Sequence, residues 1–256
     1  MWKGGVILAT FKISFFSDSL CMKSTINVIL PDRIQSTLST LLLLHGMGDD
    51  ENSWMDNTSL QRYLSNRQLA VIMPRVDLSY YANIRFGERY FDYVSDELLQ
   101  KASGWFPLKN DAKHCFAAGI SMGAYGALKL VLNEPEKFSR GYALSAVTDL
   151  LDRWNQEPKR DAWYKNLFGS KRDLKGSTSD LISIVEQWPV KKETPYIWQS
   201  CGTDDAFFQQ NETFHQLLVE KNFESDFIPV DREIHRWEFW DKQIMQVINN
   251  LDQFLS

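Results

Sequence analysis

Gly119-Ile120-Ser121-Met122-Gly123 stands between an apolar run, His114 to Ala118, and a helix-like pattern, Ala124 to Leu132. Gly-x-Ser-x-Gly occurs by chance, but between a strand and a helix it describes a sharp turn. In such a turn the serine takes strained dihedrals, and glycines are required at minus two and plus two, where side chains would meet the neighbouring strand and helix. The turn lifts the hydroxyl into the open at a helix N-terminus, whose dipole favours the anion formed when serine attacks a carbonyl. Ser121 is therefore the candidate nucleophile.

Serine attacks only when a base takes its proton, so a histidine oriented by a carboxylate is required, in the chain order Ser, Asp or Glu, His. Two histidines follow Ser121. His215 falls inside a helical pattern, Phe208 to Lys221, whereas His235 sits in the polar loop Asp231-Arg232-Glu233-Ile234-His235, after the strand-like Asp226 to Val230 and before the last helix. His235 is the candidate base. The acid is expected after the penultimate strand, where Tyr196 to Ser200 leads into Cys201-Gly202-Thr203-Asp204-Asp205. Spacing from the glycine favours Asp205, with Asp204 as the alternative; the other aspartate would cap the next helix or bond the loop backbone.

Two donors must also hold the developing oxyanion. One is the amide of Met122. The other is expected from the glycine-bearing loop His45-Gly46-Met47-Gly48-Asp49-Asp50 after an early strand, with the Met47 amide pointing at the site. His45 reads as a brace for that loop rather than as a base.

The elements needed to place these residues are legible as a pattern. Short apolar runs at Leu41 to Leu44, Leu69 to Met73, His114 to Ile120, Gly141 to Leu144 and Tyr196 to Gln199 read as strands buried on both faces. They alternate with helical segments at Leu60 to Leu64, Tyr90 to Ala102, Ala124 to Leu132, Phe208 to Lys221 and Trp237 to Leu255. Val6 to Phe16 and Ile26 to Leu30 read as an opening hairpin turned at Ser17-Asp18-Ser19. The fold class is α/β, an α/β-hydrolase architecture with a mostly parallel sheet and helices on both faces, whose chemistry lies at the carboxyl ends of the strands. One domain is expected over 1–256. Thr148 to Pro189, rich in charge and aromatics, breaks the alternation and reads as an insertion over the site, a small lid or pocket wall, or else as a surface excursion packed on its own aromatics.

Of the 256 residues, 44% are hydrophobic and 24% charged, with a formal net charge of −5, which fits a small neutral substrate and argues against a nucleic-acid partner. No run is long enough for a membrane span, and no signal segment is read. Cys21, Cys115 and Cys201 are odd in number and far apart, the pattern of neither a disulfide framework nor a zinc site, so the cytoplasm is the expected compartment. Trp54, Tyr125, Trp154 and Trp163 are candidate pocket-lining aromatics, core packing being the alternative for each.

His-Gly-Met-Gly-x-x-x-x-Ser-Trp, Gly-Ile-Ser-Met-Gly-Ala-Tyr-Gly-Ala-Leu, Cys-Gly-Thr-Asp-Asp and His-x-Trp-Glu-Phe-Trp together resemble the esterase D family, most closely the bacterial tributyrin esterases, over nearly the whole chain. The resemblance maps the triad acid onto Asp205 and the base onto His235. It implies hydrolysis of short-chain acyl esters, no cofactor, and a homo-oligomer. Two stretches depart from the family: the loop Arg232-Glu233-Ile234-His235-Arg236 carries extra charge, and Ala206-Phe207-Phe208 replaces a leucine-bearing pattern. Relatives with the same triad act as S-formylglutathione thioesterases or as acetyl or feruloyl carbohydrate esterases. A non-catalytic binding module on a hydrolase scaffold is the reading from a different class.

Overall fold

The computed structural model describes residues 8–190 and 192–255. Eight strands form one sheet in the order β1-β2-β4-β3-β5-β6-β7-β8. The antiparallel hairpin β1 (Leu8–Ser17) and β2 (Met22–Pro31) lies at one edge, and β2 pairs antiparallel with β4 (Leu69–Pro74). All further pairings are parallel, through β3 (Ser39–Leu44), β5 (Cys115–Ile120), β6 (Arg140–Leu144), β7 (Tyr196–Gly202) and β8 (Ser225–Val230). Val6 and Ile7, expected at the start of the first strand, lie outside the described residues.

Period-2 alternation divides the sheet between two cores. Leu42 and Leu44 of β3 join one, with Ile26, Val28 and Ala117; Leu41 and Leu43 join the other, with Ile29, Val71 and Phe116. All four leucines are fully buried, each contributing about 1.5–3 kcal/mol of transfer free energy. This is why the run carries no polar alternation, as both faces are covered.

The helices are α1 (Ser53–Asn57), α2 (Leu60–Tyr63), α3 (Tyr90–Asp92), α4 (Leu98–Trp105), α5 (Met122–Asn133), α6 (Leu150–Gln156), α7 (Asp161–Phe168), α8 (Lys171–Leu174), α9 (Leu181–Glu186), α10 (Phe208–Glu220) and α11 (Trp237–Leu251). A π-helical turn, Tyr93–Glu97, joins α3 to α4, so the single helical pattern expected from Tyr90 to Ala102 is continuous but locally widened. No helix among the described residues is long and apolar enough to cross a membrane.

The segment between β6 and β7 is built from α6 to α9, each too short to show a hydrophobic period. Side-chain caps start three of them: Asp149 accepts from the Asp152 amide, Ser170 and Asp173 form a reciprocal capping box, and Asp180 accepts from the Ser183 amide. Trp154 stacks on Tyr164 at 5.3 Å, and Tyr164 and Trp163 both pack on Tyr80 of the main body. A stripe on α5 ties down the far end, with Tyr125 donating to the Ser179 carbonyl, Lys129 to its hydroxyl, and Asn133 to the Thr178 carbonyl.

Candidate active site

The carboxyl ends of the four consecutive strands β5, β6, β7 and β8 converge, and the residues singled out in the sequence follow three of them. Ser121 comes directly after β5, with φ 53° and ψ −115°, a region that side-chain-bearing residues occupy only under constraint. Its amide donates to the Leu144 carbonyl at 2.9 Å, and its carbonyl accepts from the Tyr125 amide in the first turn of α5. The flanking glycines are forced by backbone contact: a Cβ on Gly119 would lie 2.4 Å from the Gly123 carbonyl carbon, and one on Gly123 would lie 2.4 Å from the Leu44 carbonyl oxygen. At these glycines β5, α5 and the end of β3 approach backbone to backbone, and the serine between them is left half-buried.

Asp205 follows β7. Its carboxylate accepts from His235 Nδ1 at 2.9 Å on one oxygen and from the Phe207 amide at 2.9 Å on the other. Burial drives the carboxyl's pKa up, but the bond to His235, that residue's charge, the Phe207 amide and the Ser145 hydroxyl outweigh it and hold the group below the ordinary aspartate value. Asp204 is exposed, and its amide donates to the Glu233 carbonyl. The two aspartates thus divide as the sequence allowed, one facing the histidine and one on the loop. His215, on α10, meets Ser225 and Phe227 instead.

His235 is held in its loop from several sides. The Arg232 amide donates to Thr203 Oγ1 at 2.9 Å, and the Asp204–Glu233 bond joins the two loops. A Cβ on Gly202 would lie 2.0 Å from the Glu233 carbonyl oxygen, so only glycine lets the loops approach this closely. The Glu233 carboxylate pairs with Arg236 at 2.7 Å and Lys242 at 2.8 Å, which neutralises the loop's added charge and staples it to α11. The imidazole lies edge-on to Trp240 at 4.7 Å and to Phe207 at 5.2 Å. Among the described residues the imidazole's hydrogen bond is to Asp205, and none joins it to the Ser121 hydroxyl.

The Met122 amide opens α5, where the first helical N–H groups have no partner within the helix. Met47 sits in a turn closed by the Asp49 amide donating to the Gly46 carbonyl. The loop is braced by His45, which donates from Nδ1 to the Gly46 carbonyl at 2.8 Å and accepts at Nε2 from the Val76 amide at 3.1 Å; both ring nitrogens are committed, and burial lowers its pKa. Arg160 of the inserted segment reaches the Met47 sulfur at 2.8 Å, and Arg153 lies over Phe207 at 5.2 Å, so the segment reaches both sides of the site.

Trp54, Tyr125 and Trp154 are each at most 1% exposed and bonded internally, to the Leu44 carbonyl, the Ser179 carbonyl and Asp161 respectively. They are core, and Trp163 alone of the four is half-open, under the Arg160 guanidinium. Phe207 and Trp240, which the sequence marked only as parts of motifs, flank the imidazole, and Ser145, Arg153 and Arg160 carried no signal in the sequence reading. Among the described residues no group of three His, Cys, Asp or Glu side chains is arranged to hold a metal ion. The thiols are unpaired, and burial pushes Cys115 and Cys201 up to about 12.

A family model described as Esterase, "Putative esterase", matches residues 17–251. An acetyl esterase of Caldicellulosiruptor saccharolyticus is 29% identical over 256 residues, spanning 93% of this chain and 96% of the relative. Among solved structures, FphF, a fluorophosphonate-binding serine hydrolase of Staphylococcus aureus, superposes with a TM-score of 0.85 at 31% identity, covering 95% of this chain and 98% of its own. The S-formylglutathione hydrolase FrmB of the same organism does so with a TM-score of 0.85 at 32% identity, covering 96% and 99%.

Proposed function

The chain belongs to the Esterase family, with the α/β-hydrolase fold, and from that premise we propose that it is a serine carboxylesterase of short-chain acyl esters, of the esterase D and tributyrin esterase type. Ser121 attacks the ester carbonyl while His235, oriented by Asp205, takes its proton. The Met122 and Met47 amides hold the tetrahedral oxyanion. His235 then gives the proton to the leaving alcohol, and water resolves the acyl-enzyme by the same steps. No step calls for a cofactor.

The observation that carries this reading is the conjunction of a strained Ser121 after β5, raised by backbone-enforced glycines, with the hydrogen-bonded pair of a covered Asp205 after β7 and an open His235 after β8 in the same sheet. Preference for a small acyl group is supported by the relatives' names, acetyl esterase and S-formylglutathione hydrolase, which specify acyl groups of two carbons and one. The FrmB likeness also favours a second reading, a thioesterase, since a thiolate leaving group needs the same nucleophile, base and oxyanion donors. Three unpaired thiols support a reducing compartment, the cytoplasm.

The test is a p-nitrophenyl ester series from acetate to octanoate, with an S-acyl glutathione arm, on the wild type and on Ser121→Ala, together with a fluorophosphonate probe. Ester turnover greatest at short chains and lost in Ser121→Ala supports the first reading. Faster thioester turnover supports the second, and absence of both turnover and Ser121 labelling leaves a binding module.

A further inference from the structure

Two arginines of the segment between β6 and β7 reach the two flanks of the site. Arg160, in the turn before α7, brings Nη1 to 2.8 Å from the Met47 sulfur, on the loop proposed to carry the second oxyanion donor. Arg153, on α6, lays its guanidinium over the Phe207 ring at 5.2 Å, and Phe207 in turn packs edge-on against His235. Both side chains keep open surface, 27% for Arg153 and 47% for Arg160.

Their donors are poorly used. A guanidinium presents five N–H groups in a planar fork. Among the described residues Arg153 donates to Glu157 Oε1 at 2.8 Å, while its Nε is buried with no partner. Arg160 stands 3.9 Å from the same carboxylate oxygen, and the acceptor it does meet is a thioether, a weak one. The other oxygen of Glu157 accepts from the Tyr164 hydroxyl at 2.6 Å. The nearby acids are committed elsewhere, Asp161 to Trp154 and Lys165, and Asp152 to Gln156 and Gln210. One carboxylate therefore serves two guanidiniums, and one positive charge is left over.

We propose that Arg153 and Arg160 form a carboxylate-binding subsite at the mouth of the esterase site, so that the preferred substrates are small esters carrying one ionised carboxylate. A monoanion balances the charge that Glu157 leaves over, and its two oxygens fill idle fork positions with charge-assisted bonds. The proposal rests on reading Ser121, His235 and the Met47 loop as the reacting centre. Two parts of an ester can carry the carboxylate: the acyl chain, as in the hemiester of a dicarboxylic acid, or the alcohol.

Two isosteric pairs, followed by titrating the released acid at neutral pH, separate these arms. Monoethyl succinate against ethyl succinamate probes the acyl side, and O-acetylglycolate against O-acetylglycolamide the alcohol side. The wild type hydrolyses the carboxylate member of one pair with a kcat/KM roughly 10- to 100-fold above its amide, as for a hydrogen bond to a charged group. Arg153→Met and Arg160→Met each lower that ratio, and the double variant brings it to about one, with no charge-assisted bond left to make. The ratio is taken within each variant, so a general loss of activity cancels. Lys165→Met, which removes an exposed cation of the same segment, leaves the ratio as in the wild type. A wild-type ratio of about one in both pairs overturns the proposal. So does a ratio that survives in the double variant, or one that falls equally in Lys165→Met, which marks the field of the whole segment. p-Nitrophenyl acetate with wild type and Ser121→Ala keeps the two levels apart. Absence of serine-dependent turnover there removes the esterase reading itself, whereas turnover there with no carboxylate preference removes the subsite alone.

Discussion

His235 Nδ1 and Asp205 Oδ2 stand 2.9 Å apart, the carboxylate side chain wholly covered and the imidazole 32% open. The imidazole proposed as the base therefore faces solvent while its carboxylate partner is sheltered where the attraction is little screened. Asp204, one residue earlier, is exposed and contributes only its backbone to the loop contact.

Asp205→Asn is expected to lower kcat by about three to four orders of magnitude, because an amide no longer selects the tautomer the base needs. Asp204→Asn should leave kcat within about threefold, since among the described residues its side chain holds no partner to lose. Kinetics on p-nitrophenyl acetate check both, and equal losses would remove the assignment of Asp205 as the acid.

Glu233 is held below the ordinary glutamate pKa by its bonds to Lys242 and Arg236, so it stays ionised throughout the neutral range. Arg236 stands at the N-cap of α11 and Lys242 lies in its second turn, and the Glu233 carbonyl accepts from the Asp204 amide, so the pairing also positions His235. Glu233→Gln should reduce kcat several-fold while shifting the melting temperature little, because the amide keeps a hydrogen-bonding group in place of the carboxylate and pairs whose cations stand in solvent, as Arg236 and Lys242 do, contribute only about 0–1 kcal/mol. A melting-temperature loss without a change in kcat would show that the staple serves the fold alone.

How much of this was legible follows from where each signal resides. The strand ends and the Gly119-to-Gly123 turn were readable because continuous apolar runs and backbone collisions leave direct marks in residue type. Spacing from Gly202 and the family resemblance already favoured Asp205 over Asp204, and in the fold Asp205 is the one bonded to His235 while Asp204 is exposed on the loop. Ser145 was invisible: a serine after an apolar strand carries no period, and its positive φ comes from contacts distant in sequence. α6 to α9 were missed for a related reason. Helices of four to eight residues are announced by caps such as Asp149, Ser170 and Asp180, which also mark ordinary turns.

Gly123→Ala tests the turn without touching a polar side chain. Its Cβ would meet the Leu44 and His45 carbonyl oxygens at 2.4 and 2.6 Å, both backbone atoms that cannot rotate away. Relief requires moving β3 and the loop that follows it away from α5, so a loss of at least about 2–3 kcal/mol is expected from overpacking. Chemical denaturation reads the stability, and kcat should fall further than that of an equally destabilised variant of the distant core.

Lys129 gives a prediction independent of catalysis. Its side chain, 2% exposed on α5, donates to Ser179 Oγ at 2.9 Å and lies 4.8 Å from the Phe91 ring centre, and desolvation lowers its pKa to about 7, against which Asp92 raises it only in part. In the unfolded chain a lysine holds its proton to about pH 10.4. Between these values the unfolded state binds more protons than the folded one, so folding becomes more favourable as pH rises, by about 1.4 kcal/mol per unit. Lys129→Met removes the titration while keeping an unbranched chain in the same space. Its stability should therefore exceed wild type most at pH 6 to 7, and the gap should narrow steadily toward pH 10. Denaturant titrations of both proteins at several pH values check this. A gap constant with pH would mean that Lys129 stays protonated in the folded state, with the Ser179 hydroxyl and the Phe91 face sufficient to hold the charge.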